Sequence, residues 1–221
     1  NGTTNYILTR MTEEGAEFAS TLKAAQELGY AEADPTSDVD GFDAQYKLAI
    51  LTSIAFNTTL GADDIAAQGI RQIGARDIAV AKELGYRIKL VAKARDEGEG
   101  RIQAHVHPAL LPVKHPLASV NDVFNAVLVR GDAVGDVMFY GRGAGSLPTG
   151  SAVVGDLIAC ARNILADSTG RVGCSCYSQR EVVPISDVES KYYIRLNALD
   201  KPKVLASIAN VFGDVDVSIE S

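Results

Sequence analysis

The sequence has no tryptophan, three cysteines, three histidines and only 6% aromatic residues in 221 positions. Each scarcity excludes something. Cys160, Cys174 and Cys176 are too few and too unevenly spaced for a disulfide framework, and no further ligands stand near them to complete a zinc site. Such sparing use reads as small buried or half-buried side chains in a reducing, cytoplasmic compartment. No apolar run approaches the length of a bilayer crossing, so the chain reads as soluble and no membrane partner is expected. Basic residues are outnumbered 21 to 28, which leaves a net charge of −7 and no basic stripe for a phosphate backbone, so nucleic acid is excluded as a partner. There is no charged-then-apolar leader and no initiator methionine; the chain opens on Asn1-Gly2-Thr3-Thr4, which suggests a fragment. What is plentiful is apolar. At 47% hydrophobic residues the chain can bury a real core.

After a short opening segment, Phe18, Leu22, Ala25 and Leu28 recur at helical spacing; Thr12 can cap this helix and Gly29 stops it. Residues 30–42 are polar and turn-rich around Pro35. The next helix is expected from about Asp43 to Asn57 with Tyr46, Ile50 and Ile54 on its core face, followed by shorter helical pieces to Gly85. The period then changes to two. Ile88, Leu90 and Ala92, then Ile102, Ala104 and Val106, flank Glu97-Gly98-Glu99-Gly100 and predict a β-hairpin. A second hairpin is expected between 123–130 and 134–140, and a long helix is expected to open at Pro148. Strands that follow one another directly give an α+β fold with a largely antiparallel sheet packed against helices. Residues 166–189 are polar and irregular, a linker. From Tyr192 a strand, a helix over Val204–Val211 and a second strand from Val215 are expected.

The densest chemistry lies in residues 29–47. Asp38-Val39-Asp40-Gly41 matches the middle of a calcium loop, but the closing position, which needs a bidentate glutamate, falls on Lys47, and a cation there repels the metal. Asp40 or Asp43 can serve a helix N-terminus. Asp43 and Lys47, four apart with the acid first, can form a surface ion pair. The same spacing also suits catalysis: a lysine among Leu48, Ala49, Ile50 and Leu51 can donate a proton to a developing alkoxide, with Asp43 fixing its position and Glu32 holding a cationic group of the substrate. His105 and His107 share one face of a strand and read as structural, with no third metal ligand; no metal is expected. Gly141-Arg142-Gly143-Ala144-Gly145 is either a tight turn or a place of close backbone approach, but it is not a Rossmann fingerprint.

Six blocks carry a resemblance. They are Asn1-Gly2-Thr3-Thr4-Asn5-Tyr6-Ile7-Leu8, residues 25–35, Asp38-Val39-Asp40-Gly41-Phe42-Asp43 with Lys47, His107-Pro108-Ala109-Leu110, residues 120–127, and residues 135–145. Together, in order over residues 1 to about 165, the chain resembles homoserine dehydrogenase. The resemblance implies reduction of L-aspartate 4-semialdehyde to L-homoserine with NADP or NAD, in threonine, methionine and isoleucine biosynthesis. It assigns Lys47 and Asp43 to catalysis, Glu32, Asp38, Tyr30 and Thr3 to the substrate, and Gly141, Gly143, Ala144 and Gly145 to the cofactor. The family's Rossmann domain, with the main dinucleotide site, lies upstream of Asn1, so the fragment alone is expected to be inactive. The tail resembles the start of an ACT domain, a ferredoxin-like regulatory module. That implies an amino-acid effector, although Lys203 stands where the ACT loop carries glycine. The resulting organisation is a catalytic domain over 1–170, a linker over 171–190 and a truncated ACT unit over 191–221, in a homo-oligomer. A different reading is a non-catalytic amino-acid-sensing and dimerisation module, which would have no need of Lys47, Asp43 and Glu32 together.

Overall fold

A computed structural model describes residues 1–169 and 173–219. They fall into two units, Asn1–Val188 and Glu189–Ser221. The first unit opens with α1 (Gly2–Glu14), α2 (Phe18–Glu27), α3 (Thr36–Val39), α4 (Phe42–Phe56), β1 (Ala66–Ala67) and α5 (Ala75–Glu83). It continues with β2 (Tyr86–Gly98), β3 (Arg101–Pro112), β4 (Phe124–Gly131), β5 (Gly135–Arg142), α6 (Ser146–Leu165) and β6 (Glu181–Val182). The class is α+β, with a sheet packed against helices.

Helix α1 is absent from the sequence-based expectation because its glycine, threonines and asparagine are weak helix formers. Tertiary burial makes it. Ile7, Leu8 and Met11 are wholly buried and pack with Ala25, Val39, Ile78, Ala81 and Ile88. The Asn1 side chain caps it by accepting from the Thr4 amide at 3.0 Å, and Gly15 closes it in the left-handed region at φ 67°. Thr12 lies inside α1, where its hydroxyl donates to the Leu8 carbonyl, so it does not cap the next helix.

Helix α4 runs where expected but buries the opposite face. Ala44, Leu48 and Ala49 pack against Ile102, Ala104 and Val106 of β3, whereas Tyr46, Ile50 and Ile54 are 60%, 62% and 65% exposed. The helix is apolar all round, so periodicity had no polar face by which to choose the side.

Both hairpins form. Strands β2 and β3 pair antiparallel from Tyr86↔Pro112 to Gly98↔Arg101, with a bulge between Asp96 and Gly98. The turn is held by Gly98, Glu99 and Gly100, all at positive φ. Two short strands, β1 and β6, join β3 in parallel, so β3 lies inside a mixed sheet. Strands β4 and β5 pair without interruption from Phe124↔Arg142 to Gly131↔Gly135. His105 and His107 do share a face of β3, with ring centroids 4.7 Å apart. Burial first, then His107 and Lys93, push the His105 imidazole down to about 4.

Three expectations need correction. All three cysteines are exposed, because Cys160 sits on α6, a helix with no buried residue, and Cys174 and Cys176 lie outside strands. Helix α6 starts at Ser146, with Pro148 in its first turn instead of opening it. The segment before residue 189 is not a free linker. Ser178 donates to the Asn57 carbonyl at 2.6 Å, Arg180 pairs with Asp96 at 2.7 Å, and Val182 packs on the core beneath β3. Residues 170–172 of that segment lie outside the described residues.

In the second unit the described residues form one helix, α7 (Val204–Gly213). Residues 192–197 and 215–219 are not strands, because alternation of side chains does not by itself set the backbone pairing that defines one. Lys203 precedes α7 at φ 73°, the conformation glycine adopts at least cost. Among the described residues no helix is long and apolar enough to cross a membrane.

One glycine fixes how the polar loop meets the core. A Cβ on Gly69 would lie 2.0 Å from the Val39 carbonyl oxygen and 2.3 Å from the Asp40 Cα. The next amide, of Ile70, donates to that same carbonyl at 2.8 Å, and Arg71 then pairs with Asp40 at 2.5 Å. Gly69→Ala must therefore push α3 away from the chain. A loss of about 3 kcal/mol is expected, the upper range for overpacking a close contact, read as a lower Tm in thermal unfolding. An unchanged Tm would show that the loop can yield freely.

Candidate active site

The N-terminus of α1, the short helix α3 and the first turns of α4 converge. Asp38 comes from α3, and Asp43 and Lys47 lie one turn apart on α4 because i and i+4 share a helix face. Lys47 Nζ donates to Asp43 Oδ2 at 2.7 Å. Asn1 Nδ2 donates to the same Asp43 oxygen at 2.7 Å and to Asp38 Oδ1 at 2.6 Å. The Thr3 hydroxyl lies 2.8 Å from Asp38 Oδ2 and 2.7 Å from the Tyr30 carbonyl oxygen. Thr3 is buried and Asp38 half-buried, while Lys47 reaches into solvent with its side chain 61% exposed. The structure thus brings together Thr3, Asp38, Asp43, Lys47 and the backbone of Tyr30, whose ring leans on Tyr6.

Glu32 stands apart. It is exposed on the loop after α2, where its backbone carbonyl accepts from Gln26 Nε2 at 3.0 Å, and among the described residues its carboxylate makes no hydrogen bond to the cluster.

The glycine stretch enters from the other side. Gly141 ends within β5, and Gly143, Ala144 and Gly145 form the exposed connection into α6. A Cβ on Gly143 would fall 2.5 Å from Asn125 Nδ2, and one on Gly2 would fall 3.5 Å from that same atom. Asn125 is therefore the point where the glycine stretch meets the start of α1. Beside it lies a shallow cavity of about 200 Å³ lined by Asn125, Ala126, Val127, Phe139, Tyr140, Gly141, Arg142 and Gly143. A larger cleft of about 420 Å³ between α1 and α2 is lined by Tyr6, Arg10, Glu14 and Thr21 and holds none of the cluster.

Sequence reasoning missed Asn1 and Asn125. The signal for Asn1 was a capping asparagine three residues before a threonine, which only helps once α1 is known to be a helix. For Asn125 no local signal exists, since its neighbours Gly2 and Gly143 are remote in sequence.

A family model of homoserine dehydrogenases matches residues 1–158. Homoserine dehydrogenase of Mycobacterium tuberculosis is 50% identical over 99% of this chain and 50% of its own length. That of Synechocystis is 48% identical over 100% of this chain and 53% of its own length. The crystal structure of the Thiobacillus denitrificans homoserine dehydrogenase superposes with a TM-score of 0.92 at 45% identity, covering 100% of this chain and 52% of that one. A hyperthermophilic archaeal homoserine dehydrogenase mutant in complex with NADPH matches at TM-score 0.58 and 33% identity, over 72% and 44% of the two chains. The chain spans about half the length of these relatives.

The ion pair at the centre has a checkable consequence. Burial raises the Asp43 carboxyl, but the hydrogen bonds from Lys47 and Asn1 and the lysine's charge outweigh it and hold the group below its ordinary value. A folded-state pKa below the unfolded one gives stability that is present above about pH 4 and lost as pH falls through the folded value. Asp43→Asn should therefore lower the Tm at pH 7, and the two proteins should converge as pH falls through the folded-state value in a thermal-unfolding series. A gap independent of pH would mean that the carboxylate's charge is not what binds here. With the matched sequence, the overlaid structure and the converging cluster taken together, the chain belongs to the homoserine dehydrogenase family.

Proposed function

We propose that this chain is the substrate-binding and catalytic part of a homoserine dehydrogenase, which interconverts L-aspartate 4-semialdehyde and L-homoserine with NADP or NAD in the biosynthesis of threonine, methionine and isoleucine. The observation that carries the reading is the Lys47–Asp43 pair: an exposed ammonium steadied by a half-buried carboxylate that Asn1 holds from behind.

Reduction of the aldehyde places negative charge on its oxygen as the carbon gains a hydride. Lys47 can place a proton on that oxygen, and Asp43 keeps the ammonium aimed. In the reverse direction the same lysine receives the hydroxyl proton. The substrate also carries an α-ammonium group. Glu32, whose carboxylate makes no hydrogen bond among the described residues and which is exposed beside the cluster's loop, is suited to receive it. Asp38, with an oxygen toward Asn1 and another toward Thr3, keeps the floor of the site in place and adds negative potential for that same ammonium. Tyr30 contributes its backbone to this floor.

The glycine stretch fits a dinucleotide. It is exposed and nearly bare of side chains, it borders the shallow cavity, and Gly143 leaves no room for a Cβ against Asn125. Gly141, Gly143, Ala144 and Gly145 would hold the cofactor from this side, and when bound the nicotinamide supplies the hydride. NADPH in the archaeal relative supports this choice of cofactor class. The break after Val188 supports an organisation of catalytic domain, connecting segment and the start of an ACT unit; the same reading carries an amino-acid effector for that unit, a homo-oligomer and a cytoplasmic setting.

Two variants in a full-length dehydrogenase containing this chain test the assignment. Lys47→Ala is expected to lower kcat by about a hundredfold or more with little change in KM, because a proton donor acts mainly in the transition state. A kcat within a few-fold of the parent would remove Lys47 from the chemistry. Glu32→Gln is expected to raise KM for the amino-acid substrate about tenfold, as loss of a charge-assisted contact should. An unchanged KM would take Glu32 out of the substrate site.

A further inference from the structure

One cation plays no part in the chemistry above and yet is buried. Lys89, in the middle of β2 opposite Ala109, is only 7% exposed. Among the described residues its Nζ has no carboxylate partner. It donates instead to three oxygens: Asn5 Oδ1 on α1 at 2.8 Å, Asn121 Oδ1 at 3.2 Å and the Val120 carbonyl. An ammonium has three N–H bonds, so donors and acceptors match in number. Burying a charge without a counter-charge is costly, and a methionine would fill the same space without that cost.

The three acceptors belong to two separate pieces of chain, which Lys89 ties together. Asn5 uses its other side-chain atom to donate to the Phe124 carbonyl at 3.0 Å. One turn on, Thr9 Oγ1 accepts from the Asp122 amide at 3.1 Å. Helix α1 is thus stitched to residues 120–124 along one face. One end of that seam is Asn1, one turn before Asn5, which holds Asp38 and Asp43. The other end is Asn125, which meets Gly143.

We propose that Lys89 is a positioning residue for the reduction: it fixes the substrate side of the site, built on α1, against the β4–β5 arm that carries the glycine stretch. This rests on the dehydrogenase reading given above. Lys89 touches neither substrate nor glycine stretch and acts through Asn5 and the 120–124 segment. Burial, helped by Arg87, pushes its pKa down to about 8 against the pull of Asp122 and Glu13, so it is still mainly an ammonium near neutral pH.

The test is steady-state kinetics of the full-length dehydrogenase carrying Lys89→Met, with aspartate semialdehyde and NADPH, and with circular dichroism and Tm to establish folding. Misalignment of two reactants by a fraction of an ångström acts on turnover, so kcat is expected to fall about tenfold or more while both KM values stay within about threefold. Lys89→Arg, which keeps charge and donors, should recover at least about a third of the lost turnover. A folded Lys89→Met enzyme with kcat within about twofold of the parent overturns the proposal, as does equal damage from Met and Arg. If Lys89→Met does not fold, Asn121→Ala, at an exposed position, decides: a drop of about threefold in kcat at constant KM is expected, and no drop overturns the role. The dehydrogenase reading stands or falls separately on Lys47→Ala. Turnover lost there but kept in Lys89→Met would leave the reading intact and remove Lys89.

Discussion

Two carboxylates share one amide, and the site is built around that arrangement. Asp38 and Asp43 would repel each other if brought together unaided. The Asn1 side chain offers one N–H to each and turns the repulsion into a bridge between α3 and α4. Its oxygen faces the other way and caps α1. A single carboxamide therefore uses its whole hydrogen-bonding capacity to join three helices at one point. Lys47 then neutralises what remains of the charge on Asp43 from the solvent side. Of the whole charge of −7, this is the part that matters chemically.

Much of this was legible in the sequence wherever the governing contacts are local. The i, i+4 spacing of Asp43 and Lys47 led to a real ion pair, and the alternation around Gly98–Gly100 and before Gly135 led to real hairpins. Contacts that are remote in sequence left no trace. Helix α1 is made by burial in spite of its composition, so Asn1 could not be recognised as a cap. The face of α4 could not be chosen because both faces are apolar. Lys89 looks like any alternating polar residue in a strand; its partners stand 84 and 31 or so positions away. The expected strand at 192–197 did not form, since an alternating pattern does not by itself set the backbone pairing that defines a strand.

The described residues also leave a good deal of apolar surface open. Tyr46, Ile50 and Ile54 on α4, Val127, Val129 and Phe139 on the β4–β5 hairpin, and Leu147, Leu157 and Ile164 on α6 are all exposed. These exposed apolar side chains lie on the same elements that carry Lys47 and border the glycine stretch.

The seam along α1 bears on how such a protein comes into being. Its stitches join residues 84, 113 and 119 positions apart. The β2–β3 hairpin closes over a two-residue turn and can form as soon as it is made. Helix α1, a poor helix by composition, is synthesised before that hairpin and must wait for residue 125 before it is held, a delay on the order of ten seconds at ordinary synthesis rates. Helix α1 is thus fixed in place only after residues more than a hundred positions later have been made, and the acidic floor of the site is assembled by segments that are far apart in the order of synthesis.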